Sequence, residues 1–378
     1  MILPLNKPYL SGNELYYIED ALKEAHISGN GKYTKKCHGY FKDKYGFKKT
    51  LLTTSCTDAL EMCAILLDIK NDDEVILPSF TFVSTALAFY RQGAKLVFAD
   101  CRRDFPSIDE SKIEDLITPK TKAIVVVHYA GISCNMDMIM KVAEKYNLFV
   151  IEDAAQSFNS FYKTRPLGGI GHLGCMSFHE TKNIQCGEGG MLIINDNRFV
   201  ERSEIIWEKG TNRAKFFRGE INKYGWVDTG SSFLPSELNA AFLFAQLEMS
   251  EIIQDKRLKI WNKYFNEFKK LKLPDFDLPL IPEYASQNGH LFYIVLKNKV
   301  RQQKLINFLR EKDIYAAFHY LPLHQSEFYK KRHDGRKLNY CDKFSDCLVR
   351  LPLFFELTDK QQSYIISTVV DFFKTEKR

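Results

Sequence analysis

From residue 50 onward, short apolar runs alternate with segments of helix length, and this alternation constrains the fold most. Runs such as TLLTTS, EVILP, KLVFAD, KAIVVVHY and LFVIEDAA are separated by segments such as TDALEMCAILLDI, SKIEDLI and MDMIMKVAEKYN. Strands that alternate with helices predict a mostly parallel sheet with right-handed crossovers. Because IVVV lacks polar alternation, both faces of the sheet should be covered. We therefore expect an α/β domain with its ligand site beyond the carboxyl ends of the strands.

Three later segments complete the predicted organisation. GCMSFH (174–179) and GGMLIIND (189–196) have no long helix between them and predict a hairpin within or beside the sheet. The apolar-periodic segment 234–270 predicts one long helix that leads out of the main domain, and the proline-containing KLPDFDLPLIPEYAS reads as a linker. Residues 290–373 predict a small α+β unit. We expect a large α/β domain over residues 1–250 and a small C-terminal α+β domain over residues 251–378.

The composition excludes several classes of protein. The 378 residues are 45% hydrophobic and 26% charged, which is typical of a globular protein and excludes disorder. A net charge of +6 is too dilute for a nucleic-acid surface. Nine dispersed cysteines without a C-x-x-C pair predict neither a disulfide framework nor a metal site. We expect no signal peptide and no membrane span, because the apolar runs are shorter than the roughly 20 residues that span a bilayer. We expect a cytoplasmic protein that binds no membrane.

Two of the candidate functional groups follow predicted strands in the middle of the chain. Asp153 and Gln156 lie three residues apart in IEDAAQ, so both side chains could face one ligand. Lys182 follows in SFHETKN, near the glycine cluster CGEGG (186–190), which would let backbone approach a ligand closely. Each residue also has a simpler interpretation, because Asp after a strand often caps a helix and a single lysine is usually a solvated surface group.

Two further groups precede predicted helices. Ser55 and Thr57 in TTSCTDALE, together with the N–H groups of a first helical turn, would suit a phosphate, although an ordinary N-cap explains them equally well. Phe82 in PSFTFVST could stack on a planar ring or fill the core. Considered together, a phosphate site, an aromatic face, an acid and a lysine are what pyridoxal phosphate requires. We therefore expect pyridoxal phosphate as the cofactor.

The motifs SCTDALE, EVILPSFTFVSTA, VVHYAG, VIEDAAQ and SFHETKN occur in fixed order. With them the chain resembles the sugar aminotransferases of the DegT/DnrJ/EryC1 type from LNKPYLSGNE to FHYLPLH and RLPLF. The resemblance implies the aspartate-aminotransferase-like fold of fold type I pyridoxal phosphate enzymes. Within the family, the motifs are most similar to those of members that make dTDP-4-amino-4,6-dideoxygalactose for enterobacterial common antigen.

The resemblance also implies roles for individual residues. Lys182 would be the lysine that binds the cofactor aldehyde, Asp153 would pair with the ring nitrogen and Gln156 would contact the ring oxygen. Phe82 would stack on the ring. Phosphate would be bound by a group of hydroxyls and first-turn residues, namely Ser55, Cys56, Thr57 and Ser177.

Similar enzymes are homodimers with the site at the subunit interface, where the partner adds an Asn to the phosphate site. At that place the chain reads GSSFL, with Ser232 in place of the Asn, so a hydroxyl would substitute or the contact would be lost. Dehydratases of this fold carry His in place of the lysine, so Lys182 favours transamination over deoxygenation.

For the substrates, the resemblance implies L-glutamate as amino donor and a nucleotide-linked 4-keto-6-deoxy sugar as acceptor. Basic and aromatic residues outside the cofactor motifs are the candidates for binding the sugar nucleotide, since guanidinium groups suit pyrophosphate. They are His319, Tyr320, His324, Arg213 and His179. Each has an alternative interpretation as a packed core residue or part of a solvated loop.

Three alternatives remain open. The same chemistry could act on another nucleotide-linked sugar, giving a 4-amino gluco product or starting from a 3-keto, GDP-linked or UDP-linked sugar. The chain could instead be a noncatalytic subunit that binds pyridoxal phosphate, although the presence of Lys182, Asp153 and Gln156 together argues against that. An α/β protein with an incidental lysine is the third alternative.

Overall fold

The computed structural model describes residues 2–271 and 273–375, so Met1, Lys272 and residues 376–378 of the predicted domains and linker lie outside the described residues. The helices are α1 Glu14–Lys23, α2 Lys32–Tyr45, α3 Cys56–Leu66, α4 Val83–Arg91, α5 Met136–Tyr146, α6 Val200–Trp207, α7 Arg213–Phe217, α8 Glu237–Glu248, α9 Ser250–Leu271, α10 Lys299–Arg310, α11 Asn339–Cys347 and α12 Asp359–Thr375. The strands are β1 Lys49–Thr53, β2 Glu74–Pro78, β3 Lys95–Ala99, β4 Thr121–Val127, β5 Phe149–Asp153, β6 Phe161–Tyr162, β7 Arg165–Pro166, β8 Leu173–Ser177, β9 Gly190–Ile194, β10 Phe276–Asp277, β11 Phe292–Leu296 and β12 Leu348–Leu351.

A seven-stranded sheet forms the centre of the fold, in the order β1-β9-β8-β5-β4-β2-β3. The pairs from β8 through β5, β4 and β2 to β3 are parallel, whereas β9 runs antiparallel to both β8 and β1. The mostly parallel sheet and the hairpin within it are therefore confirmed. The central strands are buried along almost their whole length, as the run IVVV indicated.

Two predicted helices differ in the structure. The segment 234–270 forms α8 and α9 rather than one helix, because the chain turns at Met249, whose N–H bonds to the carbonyl of Gln246. α8 is apolar on several sides and packs beside α1 and α2, so the apolar periodicity continues across the interruption at Met249. SKIEDLI forms two short 3-10 helices, Glu110–Lys112 and Glu114–Leu116, instead of an α-helix.

A second, three-stranded sheet in the order β10-β11-β12 lies in the C-terminal part of the chain. Its core joins residues of α9, α10 and α12 to Leu3, whose N–H donates to the carbonyl of Asp313 at 2.8 Å. The N-terminal residues therefore pack with the C-terminal part of the chain. The division at residues 250 and 251 stays a prediction. None of the helices described is both long and apolar enough to cross a bilayer.

A buried carboxylate fixes the start of α2. Glu237 is 1% exposed and accepts hydrogen bonds from the N–H groups of Gly31, Tyr33 and Thr34 at 2.9, 2.6 and 3.1 Å. The first N–H groups of a helix have no intrahelical acceptor, so a carboxylate there satisfies them and favours the helix dipole. The approach is close, because a Cβ at Gly31 would lie 2.6 Å from the carboxyl carbon of Glu237. α8 thereby holds α2 against the sheet.

We predict that Glu237→Ala lowers the free energy of unfolding by about 3 kcal/mol, because it leaves several buried N–H groups without an acceptor. Denaturant unfolding of the variant and the wild type measures the difference. Glu251→Ala is the control, since it removes an exposed ion pair with Lys44 and should change stability by less than about 1 kcal/mol. Equal losses in the two variants would contradict this account of Glu237.

Candidate active site

The candidate residues gather at one edge of the central sheet, where the carboxyl ends of β1, β2, β4, β5 and β8 meet. Parallel strands place their carboxyl ends at the same edge, which is the usual ligand site of such sheets. Ser55 follows β1, Phe82 follows β2, and Lys182 follows β8. Asp153 ends β5, and Gln156 lies on the turn after it.

Asp153 is a buried acid held by two donors. Its side chain is 6% exposed; Oδ2 accepts from the hydroxyl of Thr85 at 2.7 Å, and Oδ1 accepts from the N–H of Ala155 at 3.1 Å. Burial raises the pKa of Asp153 above its ordinary value, and the bonds from Thr85 and Ala155 partly offset that rise. The carboxyl is therefore poised to ionise when a cationic group lies beside it.

Lys182 lies in the loop of the β8–β9 hairpin and is half-buried. Burial lowers the pKa of its amine, and Arg350 lowers it further, while Cys56 and Asp153 act in the opposite direction. Within residues 2–271 and 273–375, no side-chain hydrogen bond or ion pair holds its Nζ. The amine is thus free to react, and its lowered pKa increases the unprotonated fraction that attacks a carbonyl.

Gln156 joins the sheet edge to the C-terminal part of the chain. Its Oε1 accepts from the N–H of Ala130 at 2.6 Å, and its Nε2 donates to the hydroxyl of Tyr320 at 3.0 Å. The neighbouring His319 bonds through Nδ1 to the hydroxyl of Tyr129 at 3.2 Å. Burial, Arg350 and Lys182 hold the pKa of His319 well below its ordinary value, so this imidazole is neutral. His319 and Tyr320 therefore belong to the same cluster as Lys182.

The start of α3 offers an anion site. Ser55 caps the helix by accepting from the N–H of Asp58 at 3.1 Å, which leaves the first-turn N–H groups of Cys56 and Thr57 without an intrahelical acceptor. The hydroxyl of Thr57 lies 2.8 Å from that of Ser84. The N-cap interpretation of Ser55 is thus confirmed, and its position at the open helix start is compatible with the predicted phosphate site.

One glycine of CGEGG has a role that differs from the one we expected. A Cβ at Gly190 would lie 2.3 Å from the carbonyl carbon of Ser55, so β9 can pass the start of α3 only because residue 190 has no side chain. The close approach at Gly190 is therefore to the protein's own backbone rather than to a ligand.

Phe82, Ser177 and His179 surround the same edge. Phe82 is 57% exposed, so it is not a core residue, and its ring centroid lies 6.2 Å from that of Tyr320. Ser177 is buried at the end of β8. His179 bonds through Nδ1 to the hydroxyl of Thr181 at 2.9 Å within the lysine loop.

Three predicted residues have no contact with this cluster in the described chain. Arg213 lies 3.3 Å from a carboxylate oxygen of Glu208, and its guanidinium lies over the ring of Phe217. Ser232 is exposed, and its backbone forms an isolated antiparallel β-bridge with Glu208. His324 is buried and bonds to the hydroxyl of Ser79 at 2.8 Å. Burial lowers the pKa of His324 to about 4, so it is a neutral structural contact in this chain.

Two residues of the cluster were missed by sequence reasoning. Thr85 lies in PSFTFVST, three residues after Phe82, and gave no signal beyond its place in that motif. Arg350 lies in β12, and its charge affects the pKa values of Lys182, His319 and Tyr320. Its Nε is buried and has no hydrogen-bond partner among the residues that the structure describes. The available signal in the sequence was a single arginine within the apolar run LVRLPLF. A buried charge is costly unless it is paired, so an arginine in such a run indicates a partner or a ligand.

The donor set fits pyridoxal phosphate. An amine, a buried acid, an open helix start and an exposed aromatic ring correspond to an aldehyde, a ring nitrogen, a phosphate and a planar ring. The unpartnered guanidinium of Arg350 would suit a carboxylate. Across the described ranges, no group of three or more His, Cys, Asp or Glu side chains is arranged to hold a metal ion.

Comparison with known proteins agrees with this geometry. The model of the DegT/DnrJ/EryC1/StrS aminotransferase family matches residues 8–370. An uncharacterized protein, MJ1066, from Methanocaldococcus jannaschii is 32% identical over 97% of this chain and 96% of its own. The spore coat polysaccharide biosynthesis protein SpsC from Bacillus subtilis is 30% identical over 98% of this chain and 97% of its own.

A solved structure extends the likeness to the fold. PseC from Helicobacter pylori, an aminotransferase of pseudaminic acid biosynthesis, superimposes with a TM-score of 0.91 at 25% identity and covers 99% of this chain and 100% of its own. The fold type I architecture is thereby confirmed, and with it the pyridoxal phosphate cofactor that the family uses. The chain belongs to the DegT/DnrJ/EryC1/StrS family of pyridoxal phosphate-dependent sugar aminotransferases.

Proposed function

We propose that this chain transfers the amino group of L-glutamate to the C4 keto group of dTDP-4-keto-6-deoxy-D-glucose, giving dTDP-4-amino-4,6-dideoxy-D-galactose and 2-oxoglutarate. The observation that carries amino transfer is the meeting of Lys182, Asp153 and an open helix start at one edge of the sheet. The choice of sugar and the place in enterobacterial common antigen or lipopolysaccharide synthesis are supported by motif likeness alone.

The positions of the residues at this edge support the following roles. Bound pyridoxal phosphate supplies an electron-withdrawing ring that stabilises negative charge at the carbon bearing the amine. Asp153 keeps the ring nitrogen protonated, with Thr85 donating to the carboxylate from behind. The phosphate would be bound by Ser55, Cys56, Thr57 and Ser177. Phe82 would cover the ring, and Gln156 would contact the ring oxygen.

Lys182 moves the proton. Its Nζ has no side-chain partner in the described chain, and its lowered pKa leaves more of the amine unprotonated near neutral pH. The amine therefore takes a proton from the amino-bearing carbon of the donor and later returns one to C4 of the sugar. Neutral His319 and Tyr320 would contact the sugar that accepts the amine. Tyr129 positions His319, and Gln156 positions Tyr320.

Arg350 binds the carboxylate of the donor. Its buried Nε has no protein acceptor, and no carboxylate of the described residues forms an ion pair with it. A buried guanidinium without an acceptor is stabilised by a carboxylate ligand, with which it can form two parallel hydrogen bonds. Glutamate is such a ligand, whereas a sugar nucleotide carries its charge on phosphate, away from the reacting carbon.

A second copy of the chain completes the site. The segment that carries Arg213 and Ser232 also exposes Phe217 and Trp226, which are 66% and 84% exposed. Large aromatic side chains in one exposed segment are typical of a protein interface. In a homodimer these residues would be covered, and Arg213 and Ser232 could reach the partner's phosphate and sugar nucleotide, as the family resemblance implies.

Other sugars are the alternative substrates. The names of SpsC and PseC concern a spore coat polysaccharide and pseudaminic acid, so relatives in this family work in different glycan pathways. A 4-amino gluco product, a 3-keto sugar or a GDP- or UDP-linked sugar would use the same residues. A noncatalytic subunit that binds the cofactor is the alternative of a different class.

We predict that the purified protein with pyridoxal phosphate, glutamate and dTDP-4-keto-6-deoxyglucose forms 2-oxoglutarate and an axial 4-amine, identified by NMR. Lys182→Ala should lose at least about a thousandfold in rate, because no other amine lies free in the cluster. Lys163→Ala is the control, since that lysine pairs with Asp137 at the surface.

The outcomes separate the alternatives. An equatorial amine would replace the galacto product with the gluco product. Turnover only with other keto sugar nucleotides would change the substrate. Cofactor binding without turnover on any of them would favour the noncatalytic subunit.

We predict that Thr85→Val lowers kcat roughly tenfold, because the loss of a hydrogen bond to a carboxylate costs about 1.5 kcal/mol or more. The pKa of Asp153 should rise further, so the low-pH limb of the rate profile should shift to higher pH. Steady-state kinetics from pH 5 to 9 measure both effects. Thr85→Ser keeps the hydroxyl and should behave as wild type; an unchanged profile in Thr85→Val would remove Thr85 from the mechanism.

We predict that Arg350→Gln raises the KM for glutamate about tenfold or more, since a charge-assisted hydrogen bond to carboxylate is lost. The rate at which the keto sugar accepts the amine from enzyme preloaded with pyridoxamine phosphate should change less than about threefold. Separate measurement of the two half-reactions tests this. Arg91→Gln removes an exposed arginine paired with Glu61 and is the charge control. Equal losses in both half-reactions would exclude a donor-specific role.

A further inference from the structure

A buried chain of amide and imidazole groups lies directly behind Lys182. Its members are almost completely buried and come from the lysine loop, from α9 and from the segment before β11. They are Asn183, Gln254, Asn288 and His290, which are 5%, 2%, 0% and 6% exposed. None of them belongs to the groups that we assign to the cofactor or the substrates.

Asn183 is the link to the lysine loop. Its Nδ2 donates to Oε1 of Gln254 at 3.1 Å and to the carbonyl of Asn288 at 2.9 Å, and its Oδ1 lies 3.0 Å from Nδ1 of His290. Because both donors of the amide are used, its oxygen must accept, so Nδ1 of His290 carries the proton. Burial holds the pKa of His290 well below its ordinary value, so the ring is neutral. Every polar atom of the Asn183 side chain is therefore satisfied.

Asn288 is the link to the acid turn. Its Nδ2 donates to the carbonyls of Gln156 and Phe158 at 2.8 and 2.9 Å, and its Oδ1 accepts from the N–H of His290 at 3.0 Å. The fit is tight, since a Cβ at Gly131 would lie 2.2 Å from Oδ1 of Asn288. One continuous set of hydrogen bonds thus connects residue 183, next to the lysine, with residue 156, three residues after the acid.

We propose that Asn183, His290 and Asn288 form a positioning relay that fixes where the Lys182 amine lies relative to the Asp153–Gln156 turn. β5 and β8 pair directly as far as Asp153 and Cys175, but Lys182 lies five residues beyond the end of β8, so the strand pairing does not itself fix the position of the lysine. A satisfied buried network allows few alternative arrangements, because each would leave a polar group without a partner. These residues act through Lys182 and touch neither substrate nor cofactor.

The inference rests on the role of Lys182 proposed above, and two forms of the cofactor test it without any turnover. The aldehyde of pyridoxal phosphate condenses with a lysine amine and releases one water, whereas pyridoxamine phosphate has no aldehyde and forms no bond to lysine. A displaced amine should weaken only the first ligand. A general loosening of the fold should weaken both.

The expected result is that Asn183→Ala raises the Kd of pyridoxal phosphate about tenfold and changes the Kd of pyridoxamine phosphate less than about twofold. Fluorescence titration of the cofactor-free protein measures both constants. Asn195→Ala is the matched control, because Asn195 also donates from Nδ2 to two backbone carbonyls, those of Gly168 and Gly171, away from Lys182. It should change neither constant. An equal rise in both constants, or no rise, for Asn183→Ala would overturn the relay.

A second pair of variants keeps the test decisive if Asn183→Ala does not fold. His290→Asn retains an N–H donor toward Asn183, so it should keep the wild-type preference for pyridoxal phosphate. His290→Leu lacks the donor and should lose it. The same behaviour in both variants would mean that His290 acts only through packing and would overturn its place in the relay.

The reactivity of Lys182 gives an independent readout. The pH dependence of its reductive methylation, followed by peptide mass spectrometry in cofactor-free protein, reports the pKa of the amine. In Asn183→Ala the displaced amine should regain water, so its pKa should rise toward the ordinary value of a lysine. An unchanged pKa would count against the relay. The charged or titratable groups around the amine are Cys56, Asp153, His290, His319 and Arg350.

Lys182→Ala distinguishes a failure of the proposed function from a failure of the relay. If this variant binds both ligands as the wild type does, Lys182 is not the cofactor lysine and the proposed function loses its central residue. If Lys182→Ala loses the preference for pyridoxal phosphate but Asn183→Ala keeps it, only the relay is wrong.

Discussion

An acid and an amine lie together at the carboxyl edge of one sheet, and much of the surrounding structure holds them there. Asp153 cannot be ionised at low cost without donors, so Thr85 and the N–H of Ala155 supply them. Lys182 interacts electrostatically with Asp153 and Arg350, and burial makes those interactions stronger than they would be in water. Three further features lie at or beside the same edge. They are the close packing at Gly190, the capped start of α3 and the buried network behind Lys182.

The fold was largely predictable because its central strands are continuous apolar runs. The pattern at β4 and β5 indicated buried parallel strands, and the lack of a helix between residues 179 and 189 indicated the hairpin. The break at Met249 was not predictable, since the apolar pattern runs through both α8 and α9 and no glycine or proline marks the point where one helix ends. The short 3-10 turns in SKIEDLI show the same limit, because helix length alone does not distinguish α from 3-10 geometry.

The residues of the candidate site also differ in how far the sequence predicted them. Lys182, Asp153 and Gln156 lie at or shortly after the ends of strands, so strand ends and motif likeness were enough to predict that they meet at one edge of the sheet. Thr85 and Arg350 act through contacts that bring distant segments together, and only the three-dimensional structure gives those contacts. The separation of His324 from the cluster has the same cause: its motif lies beside His319 and Tyr320, but its ring turns toward Ser79.

The position of Lys182 in a hairpin loop has a consequence for how such enzymes diversify. β8 and β9 pair through backbone atoms from Leu173 to Ile194, and the loop between them is closed by Phe178 and Gly189. None of these bonds involves the side chain at position 182. Exchange of that one side chain would therefore leave every backbone bond of the hairpin in place. The chemistry of residue 182 and the pairing of the strands that carry it are thus separable, so the residue can vary without a change in strand register.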